Sequence, residues 1–319
     1  MSDAGLPRGV GKMKKILAAL FVLILVGVLG ACGQSEAITV MVPSGSPALA
    51  QLYVQNDTKD YQVDVVQGAD PLVAAFGSQS HDFIFAPTNL GAKLYANSPD
   101  YIYIAAVVFG NYYLVADMGD STETFDLDYL DGREMTVFGA NSTGDIVLRY
   151  ILESADVNPN IIYVSSVADA TSLLIAGETS IIMTAEPSLS VLLARDPDYA
   201  VIDLQTEYES LTGESSYPQA GVFAKATLSD RTINKFLDDL EESVTDVNAD
   251  PEAAATLATD LGYTFGQTVL ETAIPNSHLG FVSAVDSRTD LESYFTIIMS
   301  VSAPLIGGAL PADGFYYQP

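Results

Sequence analysis

Ala74-Ala75-Phe76-Gly77 leads through His81-Asp82-Phe83-Ile84-Phe85 to Pro87, and Leu174-Ile175-Ala176-Gly177 leads through Ile181-Ile182-Met183-Thr184 to Pro187. In each stretch Gly fits the position just past a helix, where a left-handed backbone is wanted, and Pro ends the strand that follows. Each Gly stands 10 residues before its Pro, and the two copies are offset by 100. A helix, a turn and a strand thus occur twice. This is short similarity and not a tandem repeat, and it predicts two similar α/β lobes.

Working outward, short β-rich apolar runs at 38–42, 63–66, 83–86 and 102–108 alternate with helical patterns at 47–54, 71–76 and 89–96. The alternation starts again with strands at 135–138, 161–164 and 181–184 and helices at 145–153 and 168–176. Such alternation predicts parallel sheets with crossover helices. After Ser215 the pattern turns helical. Ile233, Phe236, Leu237, Leu240, Val244 and Val247 form an apolar stripe, with Asp238, Asp239, Glu241 and Glu242 on the other face. Asp250-Pro251 opens a second helix that Gly262 stops, and 283–301 reads as a third. These helices need a sheet to cover, and the strands from 38 to 116 are the candidate. The expected division is a first lobe of 38–116 plus 217–319 and a second lobe of 117–216.

At the other end, Met13-Lys14-Lys15 precedes an apolar run, Ile16 to Ala31, that closes in Leu29-Gly30-Ala31-Cys32-Gly33. A run of about 16 residues makes roughly 24 Å of helix, short of the roughly 30 Å of a bilayer core, so 1–32 reads as a lipoprotein signal peptide with its lipobox Cys, cleaved ahead of Cys32. Cys32, the sole cysteine, stands where a diacylglyceryl group would be attached. The other reading is a buried structural Cys after a short membrane helix. Two or three acyl chains would hold the chain at the membrane's outer face. Met1 and Met13 are both open as the start.

Without the residues ahead of Cys32, 9 basic side chains face 40 acidic ones, a net charge of about −31. That excess disfavours nucleic acid as a partner and favours solubility. A saline habitat and an ordinary acidic surface both account for it. With Cys32 committed to lipid no disulfide can form. The 287 residues after it exceed what one core usually spans.

Phe85-Ala86-Pro87-Thr88-Asn89-Leu90, Asp131-Gly132-Arg133 before Phe138-Gly139, and Thr184-Ala185-Glu186-Pro187 then occur in order, followed by Ala273-Ile274-Pro275-Asn276 and Gly307-Gly308-Ala309-Leu310-Pro311 through Tyr317. In this order they resemble the nitrate/sulfonate/taurine and thiamine-pyrimidine receptors of the NMT1/SsuA-like family, over roughly 36–317. The resemblance implies an α/β type II periplasmic-binding-protein fold, two lobes joined by a two-segment hinge, with a solute held in the cleft. It puts the crossings near Val115–Gly119 and Tyr217–Phe223. It implies a solute-binding receptor with a small-molecule solute, an ABC permease and ATPase as partners, a lipid anchor, a monomeric state and no cofactor. The related pyrimidine synthases need a histidine and a Cys-rich segment, and this chain has no Cys for one.

In open α/β sheets ligands sit beyond the carboxyl ends of strands. Ser44, Gly45 and Ser46 follow the first strand and open a helix, suiting an anionic or strongly polar group; Ser46 otherwise only caps that helix. Asn141, Ser142 and Thr143 hold the equivalent place in the second lobe, where Asp145 can also answer the helix dipole unaided. Thr88 and Asn89 follow the third strand. Glu186 follows its counterpart, and either accepts from an amine or ring N–H or caps the helix after Pro187. Asn111, Tyr112 and Tyr217 lie by the crossings, where aromatic faces can stack on a planar solute or simply pack. Arg149 is expected to face solvent or pair with an acid, and His278 either edges the cleft or has a surface or core role.

No free Cys nucleophile, G-x-S-x-G elbow, Walker A loop or G-x-G-x-x-G fingerprint is present, and two histidines are too few for a His-rich metal site, so no enzyme or metal site is expected. The alternatives are a ligand-sensing subunit for a membrane signalling partner, a surface enzyme with an unrecognised site, and a structural lipoprotein.

Overall fold

The computed structural model describes Met1 and residues 37–319, and Ile38–Pro319 forms one compact unit. The expected export signal and lipid-bearing Cys32 lie outside the described residues. The chain runs β1 (Ile38–Pro43), α1 (Ser46–Ala50), α2 (Leu52–Asn56), β2 (Tyr61–Val66), α3 (Asp70–Ser78), β3 (Phe83–Pro87), α4 (Thr88–Asn97) and β4 (Tyr101–Phe109). Next come β5 (Tyr113–Ala116), β6 (Glu134–Phe138), α5 (Thr143–Ser154), β7 (Asn160–Val164), α6 (Val167–Ala176), β8 (Ile181–Thr184), α7 (Ser188–Arg195), β9 (Ala200–Asp203) and α8 (Leu204–Thr212). It closes with β10 (Pro218–Lys225), α9 (Asp230–Ala249), α10 (Pro251–Asp260), α11 (Gln267–Asn276), β11 (Leu279–Ser283) and α12 (Arg288–Ser302).

Two sheets result. The first has six strands in the order β11-β4-β10-β3-β1-β2, the second five in the order β7-β6-β8-β5-β9. Pairings β1 with β2, β1 with β3, β6 with β7 and β6 with β8 are parallel, as alternating strands and helices require. Strand β10 runs antiparallel between β3 and β4.

The crossings differ from expectation. Tyr113–Ala116 pairs with β8 and β9, so it belongs to the second sheet and the first crossing is Gly110–Tyr112. Pro218–Lys225 lies inside the first sheet, so the second crossing runs through α8 and ends at Tyr217. Residues after Ser215 are therefore not purely helical. The expected helix over 47–54 is broken at Gln51, whose backbone (φ −112°, ψ 21°) leaves helical geometry. Gly177 ends α6 at φ +70°, but Gly77 stays inside α3 and Gln79 takes the left-handed turn at φ +53°. The helix expected over 283–301 begins at Arg288, because Leu279–Ser283 pairs with β4, and α11 stands ahead of it where no helix was expected.

Helix α9 covers the first sheet as its stripe requires. Ile233, Phe236, Leu240, Val244 and Val247 are buried, and the Phe236 ring stacks on Phe83 with centroids 3.9 Å apart. Phe236 also meets Tyr61 and Phe85 edge-on, tying β2 and β3 to one helix. Gly221 in β10 lets Tyr103 lie against the strand, since a Cβ there would stand 2.5 Å from that ring.

Phe236→Ala should lower unfolding free energy by about 3–5 kcal/mol, the usual result of emptying a large buried site. Urea denaturation measures it, and a loss below about 1 kcal/mol would contradict the assigned packing.

Candidate functional site

The carboxyl ends of β1, β3, β6 and β8 face one another across the seam between the two sheets. At the first crossing, Gly110 (φ +71°) and Asn111 (φ +93°) both adopt left-handed backbone. Gly is needed at 110, where a Cβ would run into the Gln205 side chain, and Asn tolerates the conformation better than most residues. The Asn111 amide then reaches both halves. Its Nδ2 donates to Ser46 Oγ at 2.7 Å, and its Oδ1 accepts from Glu186 N–H at 2.9 Å. Ser46 Oγ donates onward to the Glu186 carbonyl at 3.2 Å. With exposures of 2 % for Ser46, 1 % for Asn111 and 4 % for Glu186, water does not compete for these bonds.

A second polar contact joins the same halves. Asn89 Nδ2 donates to the Asn141 carbonyl at 3.1 Å, while Thr143 Oγ1 donates to Asn89 Oδ1 at 3.0 Å. Thr88 Oγ1 donates to the Pro218 carbonyl at 2.7 Å, fixing the loop after β3 against β10. Tyr112 is buried against Gly144, where a Cβ would come within 2.9 Å of its ring. Tyr217 is also buried, and its ring packs with Tyr208 (4.7 Å) and stacks on Tyr294 (5.1 Å). The Tyr217 hydroxyl, Gln219 Oε1 and Ser142 Oγ are buried with no hydrogen-bond partner among the described residues.

Several open readings resolve. Ser46 does not cap its helix; Gly45 is the residue ahead of α1, and the Ser46 hydroxyl serves the crossing. Ser44 Oγ turns away to Gln67 Oε1 at 2.8 Å. Asp145 sits in the first turn of α5 and accepts from Asn141 N–H, just ahead of the helix, at 2.7 Å, and Arg149 pairs with it at 3.0 Å. Glu186 serves α7: its carboxylate accepts from Ser190 N–H and Ser190 Oγ, each at 3.0 Å. Its burial pushes the carboxyl above the ordinary value of 4.5, a rise that the Ser190 donors partly offset.

Glu186 has a second surroundings. With Tyr113, Asp203 and His278 it lines a cavity of about 560 Å³ between α7 and α11, one helix from each half. His278 Nδ1 lies 3.1 Å from the Phe109 carbonyl and 2.9 Å from Gln205 Oε1, so it edges both this cavity and the crossing. Asp203 escaped the sequence reading; its signal was an Asp just before a helix at Leu204. Among the described residues no His, Cys, Asp and Glu group is arranged to hold a metal ion.

Two outcomes follow. Asn111→Gly should lose about 1–3 kcal/mol of stability, because Glu186 N–H is left buried without an acceptor; Asn111→Ala should lose about 1 kcal/mol more, since Ala resists the left-handed backbone. Equal stabilities of both variants and the parent in urea would contradict the network. For Glu186, a raised carboxyl means the folded state prefers the neutral form, so its stabilisation is present below about pH 4.5 and is lost as pH rises through the folded value. Glu186→Gln should therefore gain stability relative to the parent between pH 4 and pH 7, and denaturation midpoints at both pH values measure the gain.

No protein-family model matches the chain, and no curated protein matches it in sequence. Solved structures do match its fold. An ABC transporter protein from Parabacteroides distasonis is 24% identical, with TM-score 0.75 over 89% of this chain and 99% of that one. The ligand-binding component of an ABC-type import system from Staphylococcus aureus, with zinc bound, is 13% identical, with TM-score 0.69 over 89% of this chain and 97% of that one. The periplasmic aliphatic sulphonate-binding protein SsuA from Escherichia coli is 15% identical, with TM-score 0.65 over 89% of this chain and 92% of that one. Two α/β sheets joined by two crossings, with the chain ends returning to the first, give this protein the type II fold of the periplasmic binding proteins of ABC transporters.

Proposed function

We propose that this chain is an extracytoplasmic solute-binding receptor of an ABC importer, which captures a small polar organic solute between two lobes by hinge closure. The observation that carries the reading is the buried seam at the first crossing, where Ser46 and Asn89 from one half meet Asn111, Thr143 and Glu186. Side chains on both halves converge at the carboxyl ends of their strands, where ligands bind in open α/β folds. Unpartnered polar atoms on Ser142, Tyr217 and Gln219 add hydrogen-bonding capacity for a guest.

In this reading 1–32 is the export signal, Cys32 carries the lipid, and the monomeric body presents its solute to a permease and ATPase. One lobe holds the first sheet with the C-terminal helices and the other the second sheet, hinged at 110–112 and 204–217. The body has no catalytic role. A solute touching both lobes has affinity only for the closed conformation, so binding energy favours closure.

A cognate solute at about one hundred times its Kd should stabilise the fold by about 2.7 kcal/mol and raise the melting temperature. Small-angle scattering should show the molecule compacting at the same time. Solutes recovered by mass spectrometry from natively expressed protein supply the test compound. Stabilisation without compaction would sink hinge closure.

A further inference from the structure

We infer that the captured solute is a small organic cation, seated in the cavity between α7 and α11 with its charged group toward Glu186 and Asp203. The inference rests on the receptor reading above and names the chemistry of its guest. Asp203 in β9, Tyr113 in β5 and Thr184 in β8 are direct cross-strand partners, so their side chains form one row on one face of the second sheet. Tyr113 and Asp203 line the cavity, and Glu186 follows two residues after Thr184. Thr184 Oγ1, fully buried in that row, has no hydrogen-bond partner among the described residues.

Two carboxylates thus reach the cavity, and no Lys or Arg neutralises them. Neither Lys nor Arg lines the cavity, and no cation among the described residues pairs with Glu186 or Asp203. One Asp203 oxygen accepts from Gln205 N–H at 2.8 Å, which leaves the other to a guest. Leu189, Leu193 and Val269 add apolar lining that suits a hydrocarbon body. At about 560 Å³ the space fits a small molecule, and one bound there touches a helix from each half.

The start of α5 offers an anion no comparable seat. The positive end of α5 is already met by Asp145, and the one nearby guanidinium, Arg149, is paired with that same carboxylate. Burying a negative group beside Glu186 and Asp203 would add like-charge repulsion.

Isothermal titration of the full chain at pH 7.5 and constant ionic strength tests this, with choline, ethanolamine and tetramethylammonium against methanesulfonate and nitrate. The expected result is saturable binding of at least one cation, weakened at least about tenfold by Glu186→Gln and by Asp203→Asn. Circular dichroism must show both variants folded, and Asn at 203 keeps the oxygen that caps α8. Equal cation binding by the parent and both variants means attraction to the acidic surface and overturns the proposal. Saturable binding of methanesulfonate or nitrate in place of cations overturns the guest's charge while the receptor reading stands. No binding of either class, together with no co-purified solute, overturns both.

Discussion

Three residues, Gly110 to Tyr112, carry the chain from the first sheet to the second, and Asn111 makes that step a fixed geometry. Only an amide offers a donor and an acceptor from one short side chain that also tolerates left-handed backbone. Its NH2 faces the loop after β1 and its carbonyl faces the loop after β8, so the turn holds both strand ends in register with itself. The placement of β5 between β8 and β9, and of Tyr112 on Gly144, follows from where that turn points.

Charge is handled locally around this step. The chain has 41 acidic and 13 basic side chains, so positive helix ends are the scarce complement, and carboxylates of the chain itself take them. Asp145 does so at α5 and Glu186 at α7. The two differ in their remaining partners: Asp145 also receives Arg149 and the Tyr163 hydroxyl, whereas among the described residues the Glu186 carboxylate has only Ser190. The second carboxylate keeps its charge unbalanced in a buried place, which is why its proton is held more tightly than usual.

Periodicity made the parallel half of each sheet legible. Strands at 38, 83, 135 and 181 and their helices stand within a few residues of where alternation puts them, because each is bounded by turn residues. Strand β10 was hidden for a physical reason. Pro218 to Ala224 is buried on both faces, so it shows no alternation, and its small residues mimic a linker between lobes. The loops at 44–46, 88–89, 141–143 and 186 were legible as candidates because strand ends locate them. Their partners were not, since the Asn89 to Thr143 and Ser46 to Glu186 contacts join residues 54 and 140 apart in sequence. Tyr217 illustrates the limit: an aromatic beside a crossing reads as a stacking surface, yet its neighbours Tyr208 and Tyr294 come from helices on either side.

The position of β10 also dictates an order of assembly. Strands β3 and β4 do not pair with each other but only through β10, which emerges from synthesis about a hundred residues after them. The second sheet is continuous from β5 to β9 and can complete itself from a contiguous stretch of nascent chain. The first sheet must wait as two separate pieces, with the exposed edges of β3 and β4 unprotected in the interval. Any delay in delivering residues 218–225 therefore lengthens the period in which this chain is most open to association with other unfolded copies.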